Sequence, residues 1–345
     1  MKVTILSDGL DGHISQSLGI VEILQDSLQL SYTTVDVKLK NTFLRGLKYS
    51  YIQNLSKNLT NRNINTILSF FEEIDLTECD LLISTGAKLT VLNAALAKKY
   101  SIKNINNGYL RGVSDEYFSA NLVLEENIRK KKTKISSNIP IILPPNRFNP
   151  FKHSGIKNKV LFLIGGNGSG YKYKKKDIYE LSKQIIKYSR DSGKTPLIVT
   201  SRRTKESHEQ LIKEHLEDYL DVRSVWFNSG IGRTNLSNIF KLVDEIFVTE
   251  DSSSMIAESI SSGLHVYTIA PNRQKKNKDY LEMLYRYERM GFIKRLNFDT
   301  TFNNYTNKST LSAKYKKIIN AKHLLKIQIL KKLNKLVLTK NLKIL

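Results

Sequence analysis

Cysteine is all but missing from this sequence. Cys79 is the single one in 345 residues, so no intrachain disulfide can form. That usage is expected of an intracellular protein. No apolar run approaches the ~18 residues that a membrane-spanning helix needs. The N-terminal MKVTILSDG holds too short an apolar stretch for a signal peptide and reads as a first strand. His, Cys, Asp and Glu do not cluster at metal-ligand spacing, so no metal site is expected. There is no zinc module, basic zipper or RNP-like aromatic pattern, which sets nucleic acid aside as a partner. No glycine-rich stretch ends in the Lys-Ser/Thr of a P-loop, so ATP or GTP hydrolysis is not expected. Acid is absent from the C-terminus: Thr310 to Leu345 carries ten lysines and no Asp or Glu.

What remains is a basic two-domain protein. The net charge is +23, with 40% hydrophobic and 25% charged residues. That composition is normal for a globular chain, and the length suits two α/β domains. The charge favours polyanions, phosphorylated substrates or anionic membranes. Basic clusters stand at RKKKTK (129–134), YKYKKK (171–176) and RQKKNK (273–278).

Strand and helix patterns alternate through the first half: VTILSD, a helix from Ile14 to Gln25, YTTVDVKL, DLLISTG, a helix in LTVLNAALAKKY, then IKNINN and NLVLEE. Such alternation predicts a parallel sheet covered on both faces. IILPPNRFNPFKHSGIKN contains three of the six prolines and reads as a linker. The pattern restarts with KVLFLIGG, TPLIVTS, VRSVWF, EIFVT and HVYTIA as strands between helices, and Lys278 to Arg289 as a further helix. The expected division is 1–145, a linker at 146–158, 159–310, and a basic amphipathic tail at 311–345. Ile318, Leu325, Ile329, Leu333 and Leu336 lie along one side of that tail.

In open α/β sheets ligands bind where strands run into helices, and four such loops stand out. SDGLDGHISQS leaves the first strand. Gly9 and Gly12 allow tight turns there, Gln16 follows, and Asp8, Asp11 and His13 are each a candidate general base. LIGGNGSGY places Gly165 and Gly166 where a phosphate cradle would be. VTSRRTKES puts Ser201, Arg202 and Arg203 at a strand end, where fork-shaped guanidinium donors suit a phosphate. Thr204 would cap the helix that follows. VTEDSSSMIAES sets Asp251, Ser252, Ser253, Ser254 and Met255 at a helix N-terminus, whose amides attract a diphosphate. Glu258 lies one turn in and could accept two ribose hydroxyls.

SDGLDGHISQSLGIVEIL, LIGG, VTSRRT and VTEDSSSMIAESISSGLHVY together resemble a family of proposed nucleoside-diphosphate-sugar transferases. That family includes bacterial cell-envelope enzymes and the plant elongated-mitochondria fission proteins. The resemblance implies a GT-B-like fold: two Rossmann-like, doubly wound parallel-sheet domains facing a cleft. It implies transfer of a sugar from a nucleoside-diphosphate sugar to a lipid-linked or lipopolysaccharide-core acceptor, without a metal and with no cofactor beyond that substrate. A more distant resemblance, to the lipid-linked N-acetylglucosaminyltransferase of peptidoglycan synthesis, assigns roles. Glu258 would bind ribose, and the Ser253, Ser254 and Met255 amides the diphosphate. Gly166 and Arg202 would lie near the donor phosphates, and His13 or Asp11 would face the acceptor. Two family features are replaced here: an Asn-Pro-aromatic segment by IGRTNLSNIF, and a His-Asp by ILPPNRFNP. The expected setting is cytoplasmic, peripheral on the anionic inner face of a membrane, with the basic tail as the contact. The competing readings are an inert GT-B-fold scaffold and a sugar-nucleotide epimerase on the same fold.

Overall fold

A computed structural model describes residues 1–40, 45–125, 137–150, 157–230, 232, 234–271, 278–299, 302 and 311–333. The RKKKTK cluster, residues 273–277, Leu336 and part of the expected linker lie outside them. The chain divides into two compact units, Met1–Arg147 with Asn320–Leu345, and Phe148–Ile319.

The first unit runs β1 (Lys2–Ser7), α1 (Asp11–Gln25), β2 (Ser31–Asp36), α2 (Arg45–Leu55), α3 (Asn61–Ser69), β3 (Leu81–Thr85), α4 (Ala87–Tyr100), β4 (Lys103–Asn107), β5 (Ala120–Leu124) and β6 (Asn138–Ile141). Its six strands pair in parallel in the order β2-β1-β3-β4-β5-β6. LLIST of β3 is buried at every position, because helices cover both faces of a parallel sheet. The buried row across the middle of this sheet is polar. Ser84, Asn106, Asn121 and Asn138 stand in register on neighbouring strands. The amides of Asn106, Asn121 and Asn138 join at 2.7 Å each. Asn93 donates to Ser84 Oγ at 2.7 Å, and Thr90 Oγ1 to Asn106 at 3.1 Å. A polar seam this deep stabilises only when its members are satisfied by one another. In IKNINN the asparagines alternate around Ile105, which packs on the opposite face among Val3, Ile5 and Ile83.

The second unit runs β7 (Lys159–Ile164), α5 (Lys175–Ser192), β8 (Thr195–Thr200), α6 (Glu206–Leu216), α7 (Leu236–Phe240), β9 (Glu245–Thr249), α8 (Ser253–Ser261), β10 (His265–Ala270), α9 (Lys278–Arg289) and β11 (Lys294–Asn297). Five parallel strands follow the order β11-β10-β9-β7-β8. Phe247 stacks between Phe162 and Tyr267, with centroids 4.9 and 4.7 Å away, and anchors the core. The strand expected in VRSVWF is absent. Only Val225 bridges to Val199 of β8. The buried Glu209 carboxylate then takes the amides of Phe227, Asn228 and Ser229 and bends the chain off the sheet.

The expected tail is α10 (Leu311–Lys332). Leu325, Ile329 and Leu333 pack among Val3, Ile5, Ile20 and Leu24 in the first unit's core. Ile318 is 1% exposed. The described part of the apolar stripe is therefore occupied inside the protein and is not presented to a membrane. Nearer its start, Lys314 is 2% exposed and donates to the Leu264 carbonyl at 2.5 Å within the second unit.

Burial lowers the Lys314 pKa from 10.5 to about 7. Its ammonium therefore costs stability fully below pH 7, and the cost fades as pH rises through 10.5. Lys314→Met should raise stability at pH 6 by about 1–4 kcal/mol. Denaturant melts should show that gain shrinking by pH 10. Gly19 sets a different constraint, since a Cβ there would collide with the Asn146 backbone. Gly19→Ala should lower stability by roughly 1–3 kcal/mol in the same melts.

Candidate functional site

The first unit gathers polar groups at the carboxyl end of β1. The chain turns at Gly9 (φ 75°) and enters α1 at Asp11. His13 Nδ1 lies 3.0 Å from Asp8 Oδ2 and 3.1 Å from Oδ1. Burial works against the Asp8 charge, but the His13 hydrogen bond, the Leu10 amide and the Lys88 charge outweigh it. The carboxyl stays below its ordinary value. An ionised Asp8 makes Nδ1 of His13 the protonated nitrogen, which leaves Nε2 as the acceptor. The imidazole rests on Gly86, whose φ is +99°; a Cβ there would overlap the His13 ring. The dyad has the form of a positioned general base.

The other residues expected in this loop have different surroundings. Asp11 is exposed in the first turn of α1 and Gly12 is half-buried. Gln16 is tied down, since its Oε1 accepts from Asn107 Nδ2 at 2.8 Å. Ser17 joins Thr85 at 2.8 Å beside it. Gly86, Thr85 and Asn107 thus belong to the site and were not picked out from sequence. STG and INNG, each at a strand end, are the signals that could have found them.

The second unit brings three strand-end loops together around one carboxylate. Asp251 is 1% exposed. It accepts from Thr249 Oγ1 at 2.7 Å, from the Gly166 amide at 3.2 Å and from Arg203 Nη2 at 2.6 Å. Burial pushes its pKa up, while Arg203, Thr249 and Gly166 pull it down; the net direction is upward. A side chain at Gly165 would strike the Asp251 carboxylate, and one at Gly166 the Arg203 carbonyl. Both glycines therefore permit loop-on-loop packing. The loop then folds back through Ser169 (φ 49°) and Gly170 (φ 92°), with Gly168 and Tyr171 exchanging backbone hydrogen bonds.

Asp251 and Arg203, expected to hold donor phosphate, instead hold each other. Thr204 does not cap α6, where Lys205 is the cap residue. Its hydroxyl serves Ile164 O and Gly165 O at 2.8 and 2.9 Å. Ser201 Oγ closes the same turn on the Arg203 amide. Arg202 is the cation turned outward: it is exposed, and among the described residues its guanidinium has no partner. Ser252 caps α8 through Met255 N and touches Ser254 Oγ at 3.2 Å. Ser253, Ser254 and Met255 are half-buried at the helix start, where first-turn amides lack intrahelical partners. Glu258 is 8% exposed, one turn in.

Glu250 stands in VTEDSSSMIAES, but the sequence assigns it no role of its own. It receives Tyr171 Oη, Thr268 Oγ1 and both Nε and Nη2 of Arg295 at 2.6–2.9 Å. This buried set braces β9, β10 and β11 directly beneath the loops. Among the described residues no group of three or more His, Cys, Asp or Glu could hold a metal ion. No described helix is long and apolar enough to cross a membrane.

Residues 145–313 match the family model described as Mitochondrial fission ELM1. The fold is similar to a UDP-GlcNAc 2-epimerase from Neisseria meningitidis bound to UDP-GlcNAc. The TM-score is 0.51 at 10% identity, covering 96% of this chain and 100% of that one. Weaker likenesses are a UDP-GlcNAc 2-epimerase from Methanocaldococcus jannaschii and an ADP-heptose lipopolysaccharide heptosyltransferase II from E. coli. The epimerase has TM-score 0.49 and 11% identity, over 93% of this chain and 99% of that one. The heptosyltransferase has TM-score 0.45 and 12% identity, over 95% and 100%. No curated protein matched the sequence. The two parallel-sheet units have the GT-B architecture, and the stretch from 145 to 313 is similar to the mitochondrial fission ELM1 family.

Proposed function

We propose that this protein is a glycosyltransferase that takes a nucleoside-diphosphate sugar in its second unit and passes the sugar to a lipid-linked or lipopolysaccharide-core acceptor. The observation that carries the donor half is the arrangement around Asp251. That buried carboxylate fixes three strand-end loops so that Arg202 and the first-turn amides of α8 stand at one end of the sheet. Together they offer a guanidinium and a helix N-terminus to a diphosphate. The same groups would stabilise the leaving group without a metal, because they are fixed before charge develops. Glu258 would take the ribose hydroxyls. The acceptor half rests on Asp8 and His13: with Nδ1 bound to Asp8, Nε2 would remove the proton of an attacking hydroxyl.

A second reading is a sugar-nucleotide epimerase, favoured by the likeness to the Neisseria enzyme bound to UDP-GlcNAc. The two separate on product: transfer consumes an acceptor, whereas epimerisation changes the sugar with no acceptor present.

A panel of nucleoside diphosphates and their sugars, read by thermal shift, tests the donor site. A ligand at a hundred times its Kd should stabilise the protein by about 2.7 kcal/mol. Arg202→Ala and Glu258→Ala should each weaken that ligand about tenfold or more while leaving the apo Tm close to wild type for Arg202→Ala. Arg203→Ala should differ in kind, lowering the apo stability by about 1–3 kcal/mol because the buried Asp251 loses its part-exposed partner. No response to any nucleotide would remove the proposal. In product assays with the responding donor, His13→Ala should lower kcat by about 10²–10⁴ with donor affinity unchanged. Asp8→Asn should move in the same direction.

A further inference from the structure

His208, Ile212 and Leu216 recur at i, i+4 and i+8 along the buried side of α6. Ile212 and Leu216 pack in the second unit's core with Ile178, Leu181 and Ile185 of α5. An apolar side chain would complete that stripe. Histidine stands there instead. It is 3% exposed, and neither ring nitrogen has a hydrogen-bond partner among the described residues. A buried N–H without an acceptor costs stability. Neither the Asp8–His13 dyad nor the Asp251 clamp engages this ring.

The imidazole lies at the starts of two neighbouring helices. α5 and α6 pack together, with the Tyr179 and His215 rings 4.9 Å apart. The charged groups close to the His208 ring are Lys205, at the cap of its own helix, and Lys175 and Asp177 in the first turn of α5. Burial and the two lysines hold its pKa below the ordinary value, with Asp177 opposing them. The ring is therefore neutral at pH 7 and has one N–H to donate. Lys174 and Lys205 occupy the cap positions, and a lysine has no acceptor with which to cap. The amides of Lys175, Lys176, Glu206 and Ser207 lack partners among the described residues. Lys172, Lys174, Lys175, Lys176 and Lys205 are exposed. The acids of the two first turns are Asp177, Glu206 and Glu209. Glu209 is committed to Thr200 and the amides of Phe227, Asn228 and Ser229. Asp177 accepts from the Lys174 amide at 2.8 Å, and Glu206 is exposed. Five lysines against those two carboxylates leave the place cationic.

We propose that the starts of α5 and α6, with His208 between them, form a seat for a phosphate-type dianion. The His208 N–H donates to it, the free first-turn amides supply further donors, and Lys175 and Lys205 bring charge. Donors from two helices and an imidazole suit an ion with several acceptor oxygens and two charges. A carboxylate, with two oxygens in one plane and a single charge, matches them less well. A dianion beside the imidazole favours its protonated form, so occupancy raises the His208 pKa. Arg202 and the first-turn amides of α8 are not among these groups. The seat therefore does not rest on the nucleotide reading, and either can fail without the other.

Titration of the full chain with inorganic phosphate at pH 7, with sodium chloride holding the ionic strength constant, is the test. It is read by NMR of the six histidine rings and by thermal shift. The His208 signal, assigned by its disappearance in His208→Leu, should move saturably with phosphate and titrate at higher pH when phosphate is bound. His208→Leu should weaken phosphate roughly tenfold or more, and so should Lys175→Gln with Lys205→Gln. Lys183→Gln with Lys187→Gln, the same charge change further along α5, should retain it, as should Arg202→Ala. Thermal melts check that each variant is folded. Lys175 and Lys205 are exposed, so that pair keeps the test decisive if His208→Leu does not fold. Glycerol 3-phosphate, titrated alongside, separates the sources. Tighter binding of inorganic phosphate supports the seat and assigns it to the free anion; tighter binding of the ester supports it and assigns it to a phosphorylated metabolite or lipid headgroup. A His208 signal indifferent to phosphate would overturn the proposal, as would equal losses for the two lysine pairs. A thermal gain reproduced by sodium chloride alone would do so as well. A phosphate response lost in Arg202→Ala and kept in His208→Leu would reassign the anion to the donor site.

Discussion

The second unit depends on a single buried carboxylate. Asp251 meets a hydroxyl from its own strand end, an amide from the loop after β7 and a guanidinium from the loop after β8. An isolated carboxylate in that position would carry a heavy desolvation cost, so the site holds only while all three partners remain. The glycines at 165 and 166 follow from this contact. Their missing side chains let the loops close to hydrogen-bonding distance. Glu250, next in the chain, engages Arg295 and two hydroxyls in the same way. Two adjacent acids after β9 thus face inward, and the serines behind them form the helix start that meets solvent.

The first unit solves a related problem with neutral groups. Its buried row of serine and asparagines needs no counterion, because amides donate and accept in equal measure. At the carboxyl end of its first strand, Asp8 is paired with the His13 imidazole. One sheet end is therefore built around a fixed ion pair and the other around a proton-bearing pair. That contrast parallels the proposed division of labour: a diphosphate needs a constant field, whereas an attacking hydroxyl needs a group that changes its protonation state.

Strands such as VTILSD, LLIST and EIFVT were legible in the sequence because they are buried on both faces, and continuous apolar runs of that length have few alternatives. The helix expected from Lys278 to Arg289 is present with those bounds. α2 and α3 were missed. The apolar residues of α2 are divided between buried Ile52 and exposed Leu47 and Tyr51, so they trace no single buried stripe. VRSVWF looked like a strand, and only a distant carboxylate, Glu209, turns it into a loop. For the candidate site, the loops were legible but the roles of their residues less so. Asp251 and Arg203 have the composition of a phosphate site, and a sequence cannot tell an arginine facing a ligand from one facing an aspartate. Arg202, one residue earlier, is the one turned outward. The described part of the tail's apolar stripe packs in a core, because an amphipathic stripe suits a protein interior as well as it suits a bilayer.

Gly86 carries a wider implication. The space it leaves is filled by the His13 ring, and the residue is the single link between β3 and α4, where it is the helix cap residue. A methyl group there would meet the imidazole, and the φ of +99° would also strain the junction of β3 with α4. Position 86 thus ties the seat of His13 to the turn that starts α4. Among chains of this shape, the residue at that position would sort those able to hold a histidine over the strand end from those that have kept only the frame.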